Sequence, residues 1–356
     1  MSDTVEGVFE EPGSSKRIFA LDAVRGIAAF VVVWYHFRLA FETNAAPWYL
    51  RLLFSGRQAV VLFFVMSGYV LSLPYWRGRA LSYGAYVVRR GFRIYVPYAA
   101  AVLVAVAGAW RFSNAQLPLT PWFYRTWHTP LTGGLVVRQL LMGTGGELNT
   151  AFWSLRYEVQ MSIVFPLLCW WMVRLGPAGA GLFAVIAVGM GVWLRSASVA
   201  WGACFLLGAV LAGGREWVTR AYRSTPLWGK VLVLGGVVAA YGSESTLGMI
   251  FGACGVVVFA VESRARGWLE TAVPMYLGRI SYSMYLVHGT VLQAMLVMFY
   301  GRMPGWVFAG FFLGTTVGVS YLFCVYVEEP ATRLGRRLTQ RRAVVHGGFV
   351  RGQVAA

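Results

Sequence analysis

Ten apolar runs follow one another along this chain, at residues 18–39, 58–75, 94–110, 152–173, 178–194, 199–213, 229–242, 246–261, 279–300 and 306–327. An apolar run of about twenty residues crosses a bilayer as a helix, because a helix keeps all its backbone hydrogen bonds to itself. The pattern restricts the fold to an all-α integral membrane protein of about ten transmembrane helices. Hydrophobic residues are 58% of the chain and charged residues only 13%, which leaves no separate soluble domain. Residues 1–15 are polar and acidic rather than basic and then apolar, so they read as a disordered segment and not as a signal peptide. The first apolar run is expected to stay in the mature protein.

Orientation follows from the basic residues, which are almost all arginine. With the amino terminus in the cytoplasm, 21 of the 31 fall on the inner side and nine on the outer side, with Arg25 inside the membrane. Cytoplasmic loops carry such an excess, so both termini are expected in the cytoplasm. The transmembrane domain covers residues 16–334, and residues 335–356 form a basic, flexible cytoplasmic tail held near anionic lipid. Residues 134–147 are long enough to return into the membrane as a re-entrant segment. The net charge of +17 is topological in this reading; no basic module with interleaved aromatics points to nucleic acid.

Arg25 and His36 lie eleven residues apart in the first run, about 16 Å along one helix face. Asp22 joins that face one turn earlier. A charge and an imidazole at such depth are costly in lipid, and they line a polar site more readily than they face hydrocarbon. A neutral histidine suits proton abstraction near neutral pH. The plain alternative is an Asp/Arg pair at the inner interface with His36 satisfied by a neighbouring helix.

Arg89, Arg90 and Arg93 occupy consecutive turns before the third run, where guanidinium forks suit phosphate oxygens. Topology alone is the competing explanation for them. Glu158, close to Trp153 at the start of the fourth run, needs a cation or donors in an apolar zone, with Arg156 or His36 as expected partners. Ser281, Tyr285 and His288 form a polar stripe at i, i+4 and i+7. Ser67 precedes Gly68 in the second run, where small residues also serve close helix packing. Cys169, Cys204, Cys254 and Cys324 show no metal-ligand spacing, and HExxH, GxSxG and Walker patterns are missing, so no metal is expected.

In this order the motifs resemble acyltransferase family 3, the membrane-bound acyltransferases that include bacterial O-antigen and exopolysaccharide O-acetyltransferases. The resemblance rests on Leu21-Asp-Ala-Val-Arg-Gly26 with His36 eleven residues after Arg25, and on Val61-Leu-Phe-Phe-Val-Met-Ser-Gly-Tyr69. It rests also on Arg89-Arg90 through Pro97, on Trp153-Ser-Leu-Arg-Tyr-Glu158, on Ile280-Ser-Tyr-Ser-Met-Tyr-Leu-Val-His288 and on Glu328-Glu-Pro330. It spans residues 18 to about 334. The family often carries Arg-x-Arg where this chain has Arg89-Arg-Gly-Phe-Arg93, so it assigns the group rather than one arginine.

The resemblance implies a multi-pass enzyme of the inner, cytoplasmic membrane. It would move an acyl group, acetyl being the expected one, from cytoplasmic acetyl-CoA to a hydroxyl of a lipopolysaccharide, exopolysaccharide or lipid-linked glycan. His36 would be the base, Arg25 its motif partner and Glu158 a further catalytic residue. Arg89, Arg90, Arg93 and Arg25 would hold the donor, and Ser67, Tyr285, His288 and Trp153 the substrate. Lacking the SGNH hydrolase-like domain of some relatives, the chain would act alone, as a homodimer or beside glycan-assembly enzymes. Acylation of a small macrolide-type product is one alternative. A transporter or flippase of lipid-linked sugar is the other.

Overall fold

The computed structural model describes residues 19–42, 55–143, 146–263 and 266–351, with side chains as far as Gln340 apart from that of Arg266. The segment 1–15 lies outside the described residues, as do Lys16, Arg17, Arg51 and Arg264 of the charge count and the last five residues of the tail. Among the described residues the chain is all helix, with no strand.

In chain order the helices are α1 (Phe19–Phe41), α2 (Gly56–Trp76), α3 (Tyr83–Arg90) and α4 (Val96–Phe112), with a π-turn, Gly91–Tyr95, joining the last two. Then come α5 (Gly133–Leu140), α6 (Trp153–Trp193), α7 (Ala197–Gly213), α8 (Arg215–Ser224), α9 (Leu227–Gly242) and α10 (Thr246–Glu262). The short α11 (Arg266–Leu269) precedes α12 (Ala272–Phe299) and α13 (Gly305–Phe323), and a second π-turn, Cys324–Glu328, leads into α14 (Glu329–Arg351). Helix therefore continues into the segment expected as a flexible tail.

Each of the ten apolar runs overlaps a helix, but ten spans do not follow from helix length. Six stretches among the described residues are long and apolar enough to cross a membrane, or seven if α7 and α8, bent by 71°, count as one. The sixteen-residue α9 and seventeen-residue α10 are apolar but shorter. The 41-residue α6 holds two of the expected runs, broken at Gly176, whose φ of 71° a side chain would resist, and followed by Pro177, which lacks the amide to continue the ladder.

Much of the apolar surface faces outward. On α9, Leu227 is 77% exposed and Leu232 67%, which hydrocarbon, not water, would solvate. Trp110, Trp193, Trp217, Trp228, Trp268 and Trp306 are exposed at or near helix ends. Exposed tryptophans near the ends of apolar helices are the kind of residue found at membrane interfaces.

Inside, α1 packs along α12, α2 along α7, α7 along α6 and α12 along α13. The segment between α4 and α6 returns into this bundle. Gln139 donates to the Tyr98 hydroxyl at 3.0 Å, and Asn149 donates through Nδ2 to the Leu286 carbonyl of α12 at 3.0 Å. These buried amides tie residues around 134–147 to α4 and α12.

Candidate active site

The site begins with two glycines. Gly26 on α1 and Gly278 on α12 lie so close that a Cβ on either would overlap the backbone of the other helix. The helices run parallel from that crossing. His36 and His288 each stand ten residues beyond their glycine, about 15 Å up the axis. The two rings therefore arrive level, with His288 Nε2 3.0 Å from His36 Nδ1 and ring centroids 5.0 Å apart. Each ring also has a carbonyl one turn back: His36 Nδ1 lies 3.0 Å from Val32 O, and His288 Nδ1 lies 3.0 Å from Met284 O.

His36 forms part of the wall of a cavity of about 370 Å³. Tyr35, Trp122 and Trp153 give it aromatic walls, and Arg125, Glu147 and Thr150 give it polar ones. The Trp122 ring lies 5.6 Å from the His36 imidazole. A short 3₁₀ turn, Phe123–Arg125, carries Arg125, and another, Thr150–Phe152, carries Thr150 just ahead of α6. Both belong to the segment that folds back into the bundle, so the cavity exists only because that segment does. Aromatic faces beside hydrogen-bonding side chains suit a polyol, which presents C–H faces and hydroxyl edges.

A second polar group lies toward the start of α1. Arg25 is paired with Asp22 at 2.9 Å. Arg90 is paired with Glu158 at 3.1 Å and donates through Nε and Nη2 to Ser162 Oγ at 3.1 and 3.0 Å. Ser283 donates to Glu328 Oε2 at 2.6 Å. Arg93 sits on the first π-turn, keeps part of its side-chain surface exposed, and has Arg25, Arg90, Glu328 and Asp22 as electrostatic neighbours. Glu328 closes the second π-turn. A π-turn adds a residue to a helix and re-aims the side chains around it, which is why such turns collect at functional sites.

Arg25 and His36 thus connect two polar regions along one helix: a basic cluster at its start and an aromatic cavity three turns later. The model of the acyltransferase domain of acyltransferase family 3 matches residues 18–325. The chain belongs to acyltransferase family 3. Comparisons with curated proteins and with solved structures give no match. Glu328-Glu329-Pro330, counted in the sequence resemblance, lies just beyond the matched part. The chain is accordingly a multi-pass membrane acyltransferase.

The residues singled out in this acyltransferase's sequence divide between the two regions. His36 and Trp153 line the cavity, while Arg25, Arg90, Arg93 and Glu158 gather at the basic cluster. Glu158 meets neither of its expected partners, Arg156 and His36; Arg90 takes it, because α3 lies against α6. Arg89 turns away and donates to Thr339 Oγ1 of α14 at 2.8 Å. Ser67 is half-buried beside Gly68, where α2 closes on α7, and is not in the cavity wall. The stripe of α12 parts three ways: Ser281 donates to Gly278 O at 2.9 Å, Tyr285 donates to Ala151 O at 2.8 Å, and His288 meets His36.

Tyr35, Trp122, Arg125, Glu147 and Thr150 do not stand out in the sequence, because four of them sit in what reads as outer loop. One signal was available: Arg125 lies on the side that the positive-inside rule depletes of arginine. A second was the equal spacing of Gly26 to His36 and of Gly278 to His288.

Proposed function

We propose that this acyltransferase takes an acyl group, acetyl in the first instance, from cytoplasmic acyl-CoA and passes it to a hydroxyl of a cell-surface or lipid-linked glycan. The observation that carries the reading is the division of polar groups along α1, basic at one end and aromatic with an imidazole at the other. Ten helical passes through the inner membrane, with both termini in the cytoplasm, would set the basic end toward the CoA pool. The cavity would then face the outer leaflet.

In this scheme Arg93 meets the phosphates of the donor. Among the described residues it forms no ion pair, whereas Arg90 is committed to Glu158 and Ser162 and Arg25 to Asp22. A guanidinium without a carboxylate partner can accept a phosphate with no pair to break. The pantetheine arm runs along α1 toward His36, whose Nε2 takes the proton of the acceptor hydroxyl. The oxygen bonds to the thioester carbonyl carbon, the carbon–sulfur bond breaks, and the proton leaves on the CoA thiol. Tyr35, Trp122 and Trp153 hold the sugar face while Arg125 and Glu147 orient its hydroxyls.

The test is purified protein in detergent with acetyl-CoA or succinyl-CoA and glycan acceptors, following free thiol and acceptor mass. Acceptor-dependent thiol release with a matching gain in acceptor mass is expected. No transfer from either donor to any hydroxyl acceptor would overturn the reading. Within the same assay Arg93→Ala is expected to raise the KM for acyl-CoA about 10- to 100-fold, the worth of one charge-assisted contact. Its melting temperature should hold, because no ion pair is lost, and an unchanged KM would remove Arg93 from the donor site.

A further inference from the structure

His288 is wholly buried and has no share in the cavity wall, so an acceptor seated there meets His36 and never His288. Its connection to the chemistry runs through one contact, the 3.0 Å approach of its Nε2 to His36 Nδ1. Backbone carbonyls decide which way that bond points. Met284 O is only an acceptor, so His288 Nδ1, 3.0 Å away, carries its ring's proton and leaves Nε2 a bare lone pair. His36 Nδ1 then faces two acceptors, Val32 O at 3.0 Å and that lone pair, and must carry a proton as well. In a neutral His36 this leaves Nε2 unprotonated.

Resting on the assignment of His36 as the base, we infer that His288 is its positioning residue, holding His36 in the tautomer that turns a basic nitrogen toward the acceptor. The buried neutral imidazole does the work that a carboxylate does in a Ser-His-Asp arrangement. When His36 gains a proton on Nε2, its Nδ1–H bond to His288 becomes charge-assisted, and the imidazolium is stabilised just when it forms. His288 does not relay that proton onward, because its own Nδ1–H ends on a carbonyl that cannot take one. Among the described residues no carboxylate is in hydrogen-bonding contact with either ring.

The surroundings keep His288 in place. The Tyr285 ring lies 5.9 Å away, and its hydroxyl is held by Ser154 Oγ at 2.7 Å and Ala151 O at 2.8 Å. Asn149 grips the next stretch of α12 through Leu286 O, and its amide fills the space that a side chain on Gly289 would need. The segment that builds the cavity thus also fixes the helix that carries His288.

Two amide substitutions separate positioning from packing. Glutamine can place its amide oxygen near the Nε2 position and accept from His36, whereas the shorter asparagine reaches only the Nδ1 position. His288→Gln is expected to keep kcat within about tenfold of the parent and His288→Asn to lower it by about 100-fold, with KM for acyl-CoA unchanged in both. Equal kcat in the two folded variants would overturn the inference. So would an ¹⁵N spectrum of the unsubstituted, histidine-labelled protein in which neutral His36 carries its proton on Nε2, a measurement that does not depend on either variant folding. His36→Ala in the same series tests the base itself: full activity there removes that reading, whereas an inactive His36→Ala beside equal Gln and Asn variants removes only the role of His288.

Discussion

His36→Ala in folded, purified protein is expected to lower turnover by about 100-fold or more, the usual worth of a positioned general base. The KM for acyl-CoA should stay close to that of the parent, because in the proposed scheme the donor's phosphates would be held about 16 Å away by groups the substitution does not touch. His36 is the ring that lines the cavity and carries the unengaged nitrogen, and an imidazole suits proton abstraction near neutral pH. Some residual transfer would come from the bound, oriented acceptor alone. Turnover within threefold of the parent would exclude His36 as the base. A matching rise in donor KM would place His36 in binding instead.

Gly68→Ala is expected to be the most destabilising single-methyl change outside the site. A Cβ there would run into the backbone of α7 at Phe205, and one on Gly208 would run into α2 at Val65. Both obstacles are helix backbone, which cannot swing aside as a side chain can. The cost of such overpacking is about 1–3 kcal/mol, read as a lower melting temperature in detergent. Gly314→Ala on α13 is the control, since a Cβ there meets nothing within 4 Å and alanine favours helix by about 1 kcal/mol. A melting temperature for Gly68→Ala equal to that of Gly314→Ala would mean that α2 and α7 do not depend on this approach.

The apolar runs were legible one at a time because each is a local pattern, and each overlaps a helix. Their number as membrane passes was less so, since α9 and α10 are shorter than a bilayer needs and α6 joins two runs across Gly176. Arg25, His36, Arg90, Arg93 and Glu158 stood out by type: charges and an imidazole in apolar surroundings need a reason wherever the chain places them. Their partners were not legible. Proximity and residue type point Glu158 to Arg156 or His36, whereas the packing of α3 against α6 gives it Arg90, 68 residues away in the chain. The motif points Ser67 toward the substrate, whereas the contact of Gly68 with α7 accounts for the small residues there.

From the amino-acid order alone come the helical class, the membrane setting and the family, because hydropathy and short motifs are properties of neighbouring residues. The polar residues too costly to leave in lipid come from the same source. Only the tertiary structure decided which of them act together. Two glycines, 252 residues apart, bring α1 and α12 into contact at one height, and equal ten-residue spacings then bring His36 to His288. The fold of residues 113–143 and 146–152 back into the bundle adds Trp122, Arg125, Glu147 and Thr150 beside His36. Side chains meet through helix crossings and returning segments, and the distances that create them are not written in any stretch of sequence short enough to read.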